Sequence, residues 1–202
     1  MKYVPERVDG ERVYTYVAVD ECTRWRYTRA YYELNPASTV DFLFRLQEEA
    51  PFPLHTLQTD NGFEFTYKLT PHSHVTHPMN EWCHRYGIKH RLIPPGEKEL
   101  NGKVERSHRI DEQYFYWQAP TDDIIHFNEK LMEWIKIYNE ERLHMGLGYK
   151  TPKEKLLERW ETLRKKKEVY PDYEFHILRF IKELPIRLQN KGLQQKNQKL
   201  VA

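Results

Sequence analysis

The sequence predicts a mixed α/β fold, a sheet with helices on its faces. Three observations carry that reading. Residues 13–34 are rich in β-branched and aromatic types. Helix-like and strand-like segments then alternate from 36 to 93. Two long stretches with helical character follow before position 140. A chain of 202 residues can build one domain with a real core and a short extra element.

Taken in order, Val13 to Val19 runs into Asp20 and reads as a strand. Cys22-Thr23-Arg24 makes a turn, and Trp25 to Leu34 returns as the second strand of a hairpin. Pro36-Ala37-Ser38 leads into a helix that Ser38 or Thr39 can cap. Its apolar face is Val40, Phe42, Leu43, Phe44 and Leu46, and Pro51 and Pro53 end it. Leu54 to Thr59 is a short strand aimed at Asp60, and Asn61-Gly62 turns the chain there. Residues 63–77 have no clean period. Met79 to Tyr86 is a helix ended by Gly87, and Ile88 to Ile93 is a strand closed by Pro94-Pro95-Gly96. Helices are expected from about Gly102 to Trp117 and from Asp122 to Asn139. The second carries Ile124, Ile125, Phe127, Leu131, Trp134, Ile135 and Tyr138 on one stripe. Pro152 opens a short helix through Leu157.

From about Trp160 the character changes. Arg164-Lys165-Lys166-Lys167 is a basic run, and Tyr173 to Leu184 reads as a short strand or amphipathic piece. Pro185 to Ala202 holds Arg187, Lys191, Lys196 and Lys199 with no acid, and reads as a flexible tail. A solvated end is favoured slightly over a DNA-contacting one. The division is a core over 1–157 and a basic C-terminal extension over 158–202.

Composition narrows the class. The 39% hydrophobic content suits a globular protein, and the 31% charged content exceeds the usual quarter. The net charge is only +2, so a nucleic-acid surface must be a local patch. Aromatics at 14% more often build cores than stack on bases. Cys22 and Cys83 make no disulfide framework, which favours a reducing cytosol. No apolar run is long enough to cross a bilayer, and no signal core follows Met1. The expectation is a soluble cytoplasmic protein with no membrane partner.

Two acids draw the eye. Asp60 stands at a strand end and Glu105 in the first turns of a helix. A fold that joins such carboxylates can hold a hard cation, since Mg²⁺ takes a few carboxylates, waters and phosphate oxygens. Two such ions can stabilise the attacking and leaving oxygens of a phosphoryl transfer. Each acid alone has an ordinary explanation. Asp-Asn-Gly is commonly just a turn, and Glu105 can pair with Arg109 four residues on. Lys103, Arg106 and Arg109 flank Glu105 and are candidates for phosphate contacts, or plain helix-surface charge. His72, His74, His77, Cys83 and His84 form a lesser zinc candidate whose spacing matches no common structural zinc pattern.

Four segments together are specific. They are Tyr16-Val17-Ala18-Val19-Asp20 with Thr23-Arg24; Thr59-Asp60-Asn61-Gly62; Asn101-Gly102-Lys103-Val104-Glu105-Arg106; and Tyr138-Asn139-Glu140-Glu141-Arg142-Leu143-His144, continued by Leu147-Gly148 and Thr151-Pro152. In this order they resemble the integrase-like catalytic core of bacterial insertion-sequence transposases, within the DDE recombinase superfamily. The resemblance covers roughly residues 2–157. It implies a ribonuclease-H-like mixed sheet flanked by helices, and DNA cleavage and strand transfer with two Mg²⁺ or Mn²⁺ ions. It also implies transposon ends and target DNA as partners, and a homo-oligomer assembled on DNA at the bacterial nucleoid.

Asp60 matches the second catalytic acid of that family and Glu105 the third. Their separation is longer than usual, and the surplus is assigned to residues 63–77. Lys2-Tyr3-Val4-Pro5 matches the continuation of the first strand, so the first acid would fall at or before Met1. Asp20 matches the end of the second strand and, with Asn61, is a candidate to support the ligands from behind. The same reading expects the helical recognition domain that relatives carry ahead of the core to be missing. The expectation is therefore a core with impaired chemistry. The alternative is a non-catalytic DNA-binding or oligomerising fragment that interferes with an intact transposase. A nuclease on the same fold comes third, because the Tyr138-Asn139 and Thr151-Pro152 segments resemble the transposase branch. Arg142 and His144 read as structural before DNA-contacting.

Overall fold

Three strands near the amino end lie antiparallel: β1 (Lys2–Tyr3), β2 (Tyr14–Val19) and β3 (Arg26–Tyr31). The computed structural model describes residues 2–165, so the expectations for residues 166–202 lie outside the described residues. Alternation sends Tyr16 and Tyr27 to one face of this sheet, and Ala30 to the other. Thr15 shares that other face, its hydroxyl 3.1 Å from that of Tyr116. At the hairpin tip, Asp20 Oδ2 accepts from the Thr23 N–H and hydroxyl, both at 2.7 Å. Arg24 adopts φ +63° to close the turn.

Helix α1 (Pro36–Glu49) covers the first face. Its cap is Asn35, not Ser38 or Thr39 as expected, with Asn35 Oδ1 accepting from Ser38 N at 2.8 Å. Pro36 already sits at the first helical position, so the cap falls on the residue before it. Thr39 instead turns inward and donates to Glu64 O at 2.7 Å. Phe42, Leu43 and Leu46 pack with Tyr16, Tyr27 and Trp25, and with Met79, Trp82 and Cys83 of α2 (Pro78–Arg85). β4 (Thr56–Thr59) and β5 (Lys89–Leu92), joined through α2, run parallel with Thr59 opposite Leu92. This pair is a separate two-stranded sheet, not hydrogen-bonded to the first among the described residues. β1 pairs with β2 only at Tyr14 and Thr15, which leaves the β2 edge from Tyr16 to Val19 open towards a groove. That groove, of about 440 Å³, is lined by β2, β4 and α1.

The second face is covered by α3 (Gly102–Tyr114) and α4 (Ile124–Glu140). α3 stops short of Trp117. Phe115 and Tyr116 turn into the core beside Phe127, Leu131 and Ile135, while Trp117 stays in solvent. Asp123 caps α4, accepting from Ile125 and His126 N–H groups at 2.6 and 2.9 Å. Ile125, expected on the core stripe, is 72% exposed because it lies in that first turn facing away. α5 (Pro152–Lys165) continues past Leu157, where the short helix was expected to end. A capping box starts it: Thr151 N donates to Glu154 Oε2 and Glu154 N to Thr151 Oγ1, at 2.9 and 3.1 Å. Among the described residues no helix is long and apolar enough to cross a membrane.

Two devices fix these helices to β3. Asn128 and Asn139 present their amides from α4 to the outer edge of the strand. Asn128 accepts from Ala30 N at 2.9 Å and donates to Ala30 O at 3.1 Å. Asn139 accepts from Arg26 N at 2.9 Å and donates to Arg26 O at 2.8 Å. Each amide thereby replaces one residue of a missing neighbour strand, so this edge is covered at Arg26 and Ala30. Arg26, fully buried, forms an ion pair with the equally buried Asp111 of α3. Trp134 Nε1 donates to the same carboxylate at 2.8 Å, Arg26 Nε donates to Thr28 Oγ1 at 3.0 Å, and the guanidinium lies over the Tyr138 ring.

Asp111→Ala strands a buried guanidinium and is expected to cost about 3–5 kcal/mol in urea unfolding. The double variant Arg26→Met with Asp111→Leu should lose less than that. Asn139→Ala leaves the Arg26 backbone groups unpaired and should cost about 1–3 kcal/mol per group.

Candidate functional site

Asp60 follows β4 directly and is half-buried at the end of the parallel pair. Its Oδ1 accepts from Gly62 N at 3.1 Å, so the Asp-Asn-Gly turn is closed by the acid itself. Asn61 Nδ2 donates to Ile93 O at 2.8 Å and ties the turn to the end of β5. Below it, His90 bridges Thr59 (Nε2 to Oγ1, 2.9 Å) and Asn80 (Nδ1 to Oδ1, 2.6 Å). Burial, and then the neighbouring His77, push the His90 pKa down, which keeps this bridge neutral. Gly62 O accepts from Phe65 and Thr66 N–H groups at 2.9 and 3.0 Å, and the Thr39 bond to Glu64 O anchors the segment on α1.

Residues 63–77 form a loop of turns with its ends drawn together. His77 Nδ1 accepts from Met79 N, and the other ring nitrogen lies 3.1 Å from Phe63 O. This accounts for His77 without a metal. His72 and His74 are exposed, and burial pushes the Cys83 thiol up to about 11, far from the thiolate that zinc takes. Among the described residues no three of His, Cys, Asp and Glu gather around a point where an ion would sit. The zinc candidate is therefore not assembled.

Glu105 lies in the first turn of α3, exposed. The expected ion pair with Arg109 does not form among the described residues; both line a groove of about 440 Å³ with Arg106 and Arg142. Arg142, from the end of α4, stacks on Tyr114 at 4.8 Å. Burial, and then the charges of Arg142, Arg24 and Arg106, push the neighbouring His144 down, a sign of a positive field here. Lys103 faces the other way, its Nζ 2.8 Å from Glu21 Oε1, and fastens the start of α3 to the hairpin tip. Asp20 is occupied by its own turn. Asp60, Lys103 and Val104 line the groove between β2 and β4, while Glu105 lines the next one. The first turn of α3 stands between the two acids.

The donor chemistry at Asp60 and Glu105 fits a hard cation: carboxylate oxygens, with Glu105 making no hydrogen bond among the described residues and no thiol alongside. Arg142, read from the sequence as structural before DNA-contacting, lies in the groove with Arg106 and Arg109. One acid carries no signal in the sequence. Glu64, only 5% exposed, sits between two aromatics in a segment without period, so no pattern marked it.

Residues 1–98 and 86–152 each match a family described as Integrase core domain. A protein of Spiroplasma virus SpV1-C74, ORF3, provisionally named an integrase, is 23% identical over 158 residues, covering 74% of this chain. The chain spans 44% of that relative's length, less than half. Among solved structures, the HTLV-2 integrase catalytic core domain in complex with magnesium superposes with a TM-score of 0.55 at 16% identity, over 76% of this chain and 90% of that one. The catalytic core domain of BIV integrase gives 0.55 at 20% identity, over 80% and 95%. These structural likenesses show the fold alone: the ribonuclease-H-like sheet with flanking helices.

One group beside the site titrates abnormally. His108, three residues after Glu105, is 6% exposed, and neither ring nitrogen has a partner. Burial pushes its pKa down to about 3, with Arg26 and Lys2 adding to the effect. An unfolded histidine titrates near 6.5, so between pH 6.5 and about 3 the unfolded chain binds more protons at this position. Stability is then full above 6.5 and falls as pH drops through that window. His108→Leu should flatten the pH dependence of urea stability between pH 4 and 6 by up to about 1.4 kcal/mol per pH unit.

Proposed function

The chain carries a DDE integrase-like core, and on that premise we propose that it acts on DNA by metal-dependent phosphodiester cleavage and strand transfer. The observation that supports this most directly is the placement of Glu105 in a groove with Arg106, Arg109 and Arg142, and of Asp60 across the first turn of α3. Asp60 and Glu105 would hold Mg²⁺ or Mn²⁺. Such ions activate the attacking oxygen and neutralise the leaving one. The three arginines hold backbone phosphates, which fixes the DNA without reading its sequence. Asn61 keeps the Asp60 turn in place through Ile93. Lys103, bound to Glu21, and Asp20, bound within its turn, support the scaffold more than the ligand.

The same reading extends to transposon ends and target DNA as substrates, to a homo-oligomer on DNA, and to work in the bacterial cytoplasm at the nucleoid. It treats residues 1–157 as the core and 158–202 as a basic extension. A second reading is DNA binding without joining, as a fragment that interferes with an intact transposase. It is favoured by the placement of Asp60 and Glu105 in neighbouring grooves, with no group of three or more His, Cys, Asp and Glu side chains set to hold an ion among the described residues.

Strand joining of a labelled duplex by the purified chain, with Mg²⁺ or Mn²⁺, tests the proposal. Asp60→Ala and Glu105→Ala should each lower joining at least about 100-fold, while DNA affinity holds. Arg106→Ala and Arg142→Ala should weaken DNA binding, each lowering the slope of log affinity against log salt by about 1. Salt-dependent binding with no joining by the unaltered chain selects the second reading. No DNA binding at all would sink both.

A further inference from the structure

Glu64 is the one acid of the described chain that lies nine-tenths buried without a cation beside it, and it lies next to Asp60. Among the described residues one other carboxylate is as deeply buried, that of Asp111, and it has Arg26. Glu64 is 5% exposed, and its carboxylate leans on its own backbone N–H. A methyl group placed on Gly62 would stand 2.5 Å from Glu64 Oε2 and 2.6 Å from Oε1, so this carboxylate fills the space beside Gly62. The N–H of the same glycine donates to Asp60 Oδ1. One glycine is thus bracketed by two carboxylates, and a side chain there would drive them out of register.

Such an arrangement is costly in the bare protein. The Glu64 carboxylate is taken out of water beside a second carboxylate, that of Asp60. Nothing around it among the described residues repays that cost with a positive charge. Its backbone, by contrast, is held firmly: Glu64 O accepts from the buried Thr39 of α1, and Phe65 packs against Tyr16. The acid is therefore presented by a fixed segment. A bound cation would offset the cost of burying the Glu64 carboxylate by placing a positive charge against it.

We propose that Glu64 joins Asp60 as a ligand of the divalent cation, so that the loop after β4 supplies two carboxylates to one ion. This rests on the reading that Asp60 binds a metal, and it assigns the site a donor outside the two acids recognised from sequence. Waters and substrate phosphate oxygens complete the shell, as is usual for Mg²⁺ held by one or two carboxylates.

Calorimetric titration of the full chain with Mn²⁺, together with thermal melting with and without the ion, tests it. Asp60→Asn and Glu64→Gln are each expected to weaken Mn²⁺ binding by about tenfold or more. Glu64→Gln, which keeps the shape and removes the buried charge, should melt at the same or a higher temperature without metal, and should lose the upward shift that Mn²⁺ gives the unaltered chain. If Asp60→Asn weakens Mn²⁺ while Glu64→Gln does not, the proposal fails and the metal reading of Asp60 stands. If Asp60→Asn leaves Mn²⁺ binding unchanged, or the unaltered chain binds none, that reading fails and takes the proposal with it. A Glu64→Gln chain that melts lower without metal, or does not fold, would mark Glu64 as a structural acid and overturn the assignment.

Discussion

The buried Arg26–Asp111 pair is the contact on which the placement of the rest depends. Neither side chain reaches solvent, so the desolvation of both charges must be met inside the protein. It is met by three elements at once: Thr28 on β3, Trp134 and Tyr138 on α4, and the Asp111 carboxylate on α3. A pair that is satisfied only when all three pack together sets their relative position more sharply than apolar contact alone. α3 carries Glu105 six residues, under two turns, before Asp111. The height and rotation of that helix on the sheet, and hence where Glu105 and its arginines face, follow from this buried contact.

Asp60 is placed by a different set of bonds on the opposite face. Its turn is held to β5 by Asn61, to α2 through His90 and Asn80, and to α1 through Thr39 and the Glu64 carbonyl. These are neutral hydrogen bonds around a strand end, and they do not pass through α3. The two acids are therefore positioned independently, by helices on the two faces of the sheet. The part of the molecule where these frames meet is the groove between β2 and β4, with the first turn of α3 at its margin. There the sheet is least continuous, since β2 and β4 are not hydrogen-bonded to each other. On the proposed function, a cation and its phosphate ligands would sit in this gap between the two sheets, where no strand pairing bars the way to DNA.

The outer edge of β3 shows the opposite strategy. An open edge would expose four backbone groups at Arg26 and Ala30, and two asparagines on one helix cover them. Their separation of eleven residues is close to three helical turns, so both amides fall on the same face of α4. The motif around Tyr138 and Asn139 thus has a physical reason independent of DNA: it closes a strand. Arg142, one turn further, leaves that packed face and joins the basic groove.

The sequence by itself determined the order and type of the elements. Strand composition over 13–34, the proline and glycine stops, and the helical stripe of α4 depend on local preference and period, which a linear chain displays. It also singled out Asp60 and Glu105, because each stands at a recognisable element end within motifs in the right order. It did not reveal that Asn35 caps α1, because Pro36 shifts the cap by a few residues, a local detail that several polar neighbours blur. Only the tertiary structure decided that Arg26 is buried against Asp111, that Lys103 turns to Glu21 while Arg142 joins Arg106, and that Glu64 lies beneath the Asp60 turn. Those facts concern partners distant along the chain, or the direction of a side chain in a segment without period. Charge, unlike hydrophobic periodicity, carries no sign of its partner in the sequence; the partner is chosen when packing removes the water that would otherwise screen them all alike.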